Sequence, residues 1–296
     1  ETKPQLNELA RLRHQLENLH IGEHPKALEL AWPHIDHPDR FVRWAALIAM
    51  QRLPVDKWAV KTLQEKDPGK RVNGLLSLAK AAGIDPFHRQ SSDPPINQKM
   101  GKSILQSLLR MKWKDLTPNE RFTLVRTYQV TMVRFGKPSP QLAKKIVSHL
   151  DTQFPAKNFE MNWLLCETLA YLEAPTVAEK GIALLTQAPT QEEQMEYARS
   201  LRNLRSGWTH EMRSEYFNWF LKAANYRGGA SFSKFIEFIR NDAVASLSPK
   251  EQEGLASLLA MKPEIKSPAE VMAEAMAGRT FVKNWKMDEL SNSASN

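Results

Sequence analysis

Apolar residues along this chain recur at three- and four-residue spacing, as in Leu6, Leu9, Leu12, Leu16 and Leu19, or Phe232, Phe235, Ile236 and Ile239. That period places them on one face of a helix. The spacing predicts about a dozen helices of roughly 12 to 18 residues joined by short connections. Strand-like alternation is not apparent, so a β-domain is not expected. Helix starts are legible as well. Thr117-Pro118-Asn119-Glu120, Thr176-Val177-Ala178-Glu179, Thr190-Gln191-Glu192-Glu193, Ser248-Pro249-Lys250-Glu251 and Ser267-Pro268-Ala269-Glu270 read as capping boxes, with simpler N-caps at Ser139 and Thr209.

Two helix starts of one design lie 28 residues apart. In Asp39-Arg40-Phe41-Val42-Arg43-Trp44-Ala45-Ala46-Leu47 and Asp67-Pro68-Gly69-Lys70-Arg71-Val72-Asn73-Gly74-Leu75, an Asp caps the helix and an Arg follows four residues on. A small residue and then a Leu complete the unit, letting neighbouring helices approach and filling a shared core. This is a HEAT-like signature. The expected fold is therefore all-α, a HEAT-like α-solenoid of stacked antiparallel helix pairs without a sheet. The Pro-rich, polar stretch 85–95 divides it into a front part, 1–90, carrying the two similar units, and a continuing helical-repeat part, 91–296, ending in a tail. Leu47 is expected in the core, where truncation to Ala would cost roughly 2–5 kcal/mol.

The 296 residues are 42% hydrophobic and 25% charged, enough for a substantial core, and no apolar run approaches the roughly 20 residues a bilayer requires. The opening Glu1-Thr2-Lys3 shows neither an initiator Met nor a signal peptide, so a processed product or a piece of a longer chain is expected. The net charge of +8 is concentrated in the middle: the nets are +3 for 1–90, +8 for 91–150 and −3 for 151–296. Lys99, Lys102, Arg110, Lys112, Lys114, Arg121, Arg126 and Arg134, with Lys137, Lys144 and Lys145, face only Asp93, Asp115 and Glu120 as local counter-charges. The first eight are the candidate partner-binding residues, for an acidic protein face, nucleic acid or lipid head groups. The alternative is a solvated helix face with no dedicated ligand.

Motifs that carry chemistry are weak. His20-Ile21-Gly22-Glu23-His24 spells the string of inverted zinc peptidases, but Gly22 and Pro25 break the helix that would hold both rings on one metal. It reads as a loop in which His20→Ala would be nearly silent, and His34 and His37 add little. Cys166 excludes an internal disulfide and sits in an apolar helix, where it reads as a small buried hydrophobe. Gly228-Gly229 fits neither a dinucleotide fingerprint nor a P-loop, and Cys-x-x-Cys-His and nucleophile-elbow motifs are absent from the sequence. The aromatic cluster Trp208, Tyr216, Phe217, Trp219, Phe220, Tyr226, Phe232, Phe235 and Phe238 reads as core between two helices, or else as a groove for a partner. No catalytic, cofactor-binding or metal residue is assigned, and the chain is expected to be non-enzymatic.

Three strings carry a resemblance. Trp163-Leu164-Leu165-Cys166-Glu167-Thr168-Leu169-Ala170-Tyr171-Leu172-Glu173-Ala174-Pro175, then Ala188-Pro189-Thr190-Gln191-Glu192-Glu193-Gln194, then Tyr197-Ala198-Arg199-Ser200-Leu201-Arg202-Asn203-Leu204-Arg205-Ser206-Gly207-Trp208-Thr209 resemble the helical-repeat region of large exported haem-binding proteins of planctomycete and verrucomicrobial bacteria. The similarity runs from about Asp39 to Leu290, with Tyr226–Phe232 and Phe281–Leu290 as further landmarks. In that family a dehydrogenase-like β-propeller precedes the repeats and a c-type cytochrome follows. The resemblance implies an exported, periplasmic location and a spacer or docking platform in a cytochrome-linked oxidoreductase. Its partners would be the propeller and the cytochrome, with no cofactor in this chain. From a different class, the basic 91–150 stretch admits a HEAT-like nucleic-acid binder.

Overall fold

Asp39 and Asp67 each set the start of a helix by accepting hydrogen bonds from free N–H groups of its first turn. Asp39 Oδ1 takes the amides of Phe41 and Val42 at 3.0 and 2.9 Å, and Asp67 Oδ1 takes that of Lys70 at 2.9 Å. The computed structural model describes residues 7–85, 87, 88, 90–93, 95–277, 279, 286 and 287. The landmark at 281–285 and 288–290 and the tail from Ser291 lie outside the described residues.

The helices are α1 (Glu8–Glu17), α2 (Ala27–Ala31), α3 (Arg40–Gln51), α4 (Ala59–Gln64), α5 (Pro68–Ala82), α6 (Gln98–Leu109), α7 (Pro118–Phe135) and α8 (Pro140–Leu150). They continue with α9 (Phe159–Tyr171), α10 (Val177–Gln187), α11 (Gln191–Leu201), α12 (His210–Ala223), α13 (Phe232–Ala245), α14 (Pro249–Gly254), α15 (Ala256–Leu259) and α16 (Pro268–Ala277). The protein is all-α: no strand occurs among the described residues. Several elements are shorter than the spacing predicts, since Pro25, Pro33, Pro38 and Pro54 interrupt the region around α2 to α4.

The helices fall into two layers. In one, α1, α3, α5, α7, α9, α11 and α13 each pack on the next; in the other, α4, α6 and α8 follow one another, as do α10, α12 and α15. Across the layers α2 packs on α3, α4 on α5, α6 on α7, α8 on α9, α10 on α11 and α12 on α13. Each helix thus touches mainly its neighbours in sequence, which is what stacking of helix pairs requires. One contiguous cluster of buried side chains extends from Leu16 to Leu255. It crosses the 85–95 connection without a break, because α5 before it packs along α7 after it.

The repeat signature is realised unequally. Ala46 and Leu75 are fully buried, and a Cβ on Gly74 would stand 3.0 Å from Thr62 Cγ2, so small residues do admit a close neighbour here. Leu47 is only partly buried against the core. α5 is covered by α3, α4, α6 and α7, whereas α3 lies nearer the end of the stack and has the five-residue α2 as its partner in the other layer.

Most of the caps form. Thr117–Glu120 and Ser248–Glu251 are full capping boxes, Ser267 and Glu270 bond reciprocally, and Thr190 and Thr209 accept the amides of Glu193 and Met212. Thr190 forms only its half of the expected box, and two caps fail altogether. Ser139 makes no capping bond, and Thr176 turns its hydroxyl to Asp151 Oδ1, which Lys180 Nζ also meets at 2.9 Å.

Candidate interaction surfaces

α6 buries Gly101, Ile104, Leu105 and Leu108 and leaves the opposite side to solvent. Lys99, Lys102 and Arg110 lie on that exposed side, at steps of three and eight residues that return to nearly one helical face over about 16 Å. Lys112 and Lys114 follow in the short 3₁₀ connection to α7 and are exposed too. Among the described residues none of these five pairs with a carboxylate. They are free, and they are gathered at one side and end of α6.

The remaining three candidates are on α7, which belongs to the other layer, and each has internal work. Arg121 Nε donates to Trp113 O at 3.0 Å and its guanidinium stands 5.6 Å from that ring. Arg134 Nη1 donates to Ile84 O at 2.8 Å and approaches Asp85 Oδ2 at 3.4 Å, tying the 85–95 connection to α7. The Phe87 N–H, with smaller help from the His88 ring and Arg134, holds the Asp85 carboxyl down at about 2. Arg126 Nη1 donates to Gln129 Oε1 at 3.0 Å, and Gln129 Nε2 to Glu167 Oε2 at 3.0 Å. Glu167 Oε1 accepts from Arg199 Nη1 at 3.1 Å, and Arg199 Nε reaches Glu196 Oε2 at 2.8 Å. This ladder joins α7, α9 and α11 and borders a shallow hollow of about 230 Å³ that also touches Met132, Val133 and Tyr171. The eight candidates therefore do not form one patch.

The second small feature is a cleft of about 160 Å³ between α5 and the end of α6, lined by Lys66, Pro68, Arg71, Arg110, Met111, Lys112, Asp115 and Leu116. Only Arg110 and Lys112 of its cations belong to the charge-rich stretch of the sequence. Lys66 and Arg71 come from the preceding unit, and the only signal for Arg71 is its place in the repeated helix start.

The weak motifs resolve into structure. His20 Nε2 bonds Ala45 O at 2.8 Å and His24 Nε2 bonds Ile21 O at 2.7 Å, with Gly22 at φ +80° between them. His20 thus ties the loop to α3, a contact that the reading of a silent residue does not include. The rings of His34 and His37 are 6.0 Å apart; burial, then His37, lowers the pKa of His34. No group of three or more His, Cys, Asp or Glu is arranged around a metal-sized space among the described residues. Cys166 is fully buried, and burial, with Glu167 next to it, pushes its thiol up to about 12. Tyr216, Phe217, Trp219 and Phe220 are core, while Phe238 is 61% exposed. No described helix is long and apolar enough to cross a membrane.

Sequence reasoning missed one buried charge. Arg213, 1% exposed, sits on the apolar stripe of α12 with Tyr216, Phe217 and Phe220. It donates to Glu251 Oε1 at 3.0 Å, Leu204 O at 3.2 Å and Ser246 Oγ at 3.3 Å, and lies 4.1 Å from the Trp208 ring centroid. An Arg at a core position of an amphipathic helix was the available signal. No protein-family model, curated protein or solved structure matches this chain.

Proposed function

We propose that this chain is a non-catalytic, HEAT-like docking platform whose basic α6 side holds an acidic protein face, as a spacer in an exported c-type cytochrome-linked oxidoreductase. The observation that carries the reading is the exposed, unpaired set Lys99, Lys102 and Arg110 on one side of α6, continued by Lys112 and Lys114. Arg134 is offset by Asp85, and Arg121 and Arg126 are held by hydrogen bonds within the fold; these five have no such partner and are available to steer an acidic face. The continuous core supports the platform role, since it fills the space between the layers and leaves the outer faces for contact. The oxidoreductase context rests on the resemblance alone.

The test is capture of c-type cytochrome and propeller dehydrogenase modules by the immobilised chain. Capture is expected at about 20 mM salt and lost at about 300 mM, where screening is short-ranged. Lys99→Glu with Lys102→Glu should abolish it. Failure of both modules to bind at low salt refutes the proposal. A nucleic-acid binder needs a continuous basic stripe on one face, and here the basic residues divide between two layers. Salt-sensitive retardation of duplex DNA would nevertheless replace the docking reading with that one.

A further inference from the structure

Arg43 and Arg71 occupy the same place in the two similar helix starts, four residues after the capping Asp, and their guanidiniums are used differently. Arg43 Nη1 donates to the carbonyls of His37 and Pro38 just before its own helix. Arg71 instead reaches forward to α6. Its Nε and Nη2 donate to Ser107 Oγ at 3.2 and 2.9 Å, and Nη2 donates to Ser107 O at 3.0 Å. Those bonds fix the fork in the cleft described above and leave Nη1 with no acceptor among the described residues.

Arg110, Lys66 and Lys112 line the same 160 Å³, with Asp115 the one carboxylate. Glu65 is near Arg71 and its charge offsets part of the repulsion from Arg110, but it makes no ion pair with Arg71, its oxygens taking the amides of Lys66 and Asp67 at 2.7 and 3.0 Å and Trp32 Nε1 at 3.2 Å. Burial, and then Arg110, depress the pKa of Arg71, so the chain holds a half-buried cation beside a like charge at an electrostatic cost. An anion in the cleft would offset it. Guanidinium forks bind oxygen pairs, and the Arg110 fork with Arg71 Nη1 and two ammonium groups offers more donors than the two oxygens of a carboxylate readily accept. A tetrahedral ion matches them.

We propose that the cleft formed by Lys66, Arg71, Arg110 and Lys112 is a binding site for a phosphate-class oxyanion, either the free ion or the phosphate of a monoester. The site shares Arg110 and Lys112 with the proposed docking side, but its observations, the cleft and Arg71, do not depend on that reading. Thermal unfolding of the whole chain with inorganic phosphate and with phenyl phosphate, against chloride at equal ionic strength, tests it. Saturable stabilisation is expected, since a ligand of the folded state raises the melting temperature as its site fills. Arg110→Gln with Lys112→Gln, both at exposed positions, should weaken binding about tenfold or more. Lys99→Gln with Lys102→Gln removes the same charge elsewhere on α6 and should leave the affinity unchanged. Tighter binding of phenyl phosphate supports a phosphorylated partner as the source, and tighter binding of inorganic phosphate supports the free ion. Absence of saturable binding of either, or an equal loss in the Lys99/Lys102 control, overturns the assignment.

Discussion

Glu251→Ala should loosen the last helix pairs because it strands Arg213. The guanidinium is 1% exposed and cannot rehydrate, whereas the Glu251 side chain is 30% exposed. Removing one partner of a buried pair costs about 3–5 kcal/mol. Partial exposure of the carboxylate screens the pair, and Arg213 keeps Leu204 O and Ser246 Oγ. We therefore expect about 2–3 kcal/mol, of which about 0.5–1 kcal/mol is the lost capping box with Ser248. Arg213→Met removes the buried charge and the donors to Leu204 O and Ser246 Oγ, although Leu204 O keeps the Trp208 Nε1 donor at 2.9 Å, for about 1–3 kcal/mol. In that background Glu251→Ala should cost only the cap, so the double variant should exceed the sum of the singles in stability by about 1–2 kcal/mol. Urea unfolding followed by circular dichroism gives the totals. Hydrogen exchange across α12 to α15 localises them, since end units of a stack open separately. Additivity within about 0.5 kcal/mol would refute the reasoning. A pH dependence follows with a definite sign. Burial raises the Glu251 pKa, but hydrogen bonds from Ser248 and Arg213 outweigh it and leave the carboxyl below its ordinary value. Its contribution is therefore complete above about pH 4.3 and lost as pH falls through the folded-state pKa. Arg213→Met should shrink that acid limb, leaving the part that comes from the Ser248 bonds.

Leu75→Ala is expected to cost about 2–5 kcal/mol and the partly buried Leu47→Ala only about 1–2 kcal/mol, read from denaturant midpoints; equal losses would contradict the difference in cover. His20→Ala should cost about 0.5–1.5 kcal/mol through the bond to Ala45 O, and an unchanged midpoint would show that bond to be idle. Gly207→Ala places a Cβ 2.2 Å from Pro175 O at φ +77°, so a loss of more than about 2 kcal/mol is expected, and a wild-type melting temperature would refute it. Cys166 should react with a disulfide reagent only on unfolding, and rapid labelling of the native protein would show that its burial is wrong.

The helices and most of their starts were legible because a cap is a local device: side chain and amide are three residues apart, as in Thr117 and Ser248. Thr176 failed for a tertiary reason, its hydroxyl being taken by Asp151 from 25 residues earlier. The basic stretch was visible as a density of charge, yet density along the chain carries no information about direction. α6 and α7 are neighbours in sequence but belong to different layers, so Lys99 and Lys102 face solvent while Arg126 and Arg134 are drawn into bonds with Gln129 and Ile84. Arg213 was hidden because three of its acceptors come from elements distant in sequence or unmarked by any motif.

Positions that repeat in a stacked fold answer to the stacking itself, which demands a cap, a small residue and an apolar residue in each unit. Where equivalent positions depart from one another, the stack alone no longer dictates the choice. Arg43 satisfies carbonyls beside its own helix, as a structural residue would, while Arg71 uses the same side chain to bridge to α6 and leaves Nη1 without an acceptor in a cleft shared with Arg110. A bridge alone requires only the bonds to Ser107, which an uncharged donor could supply without the repulsion of a second guanidinium. The surplus of cations around that bridge is thus the feature that packing leaves unexplained, and it places the search for a ligand at the seam between α5 and the end of α6.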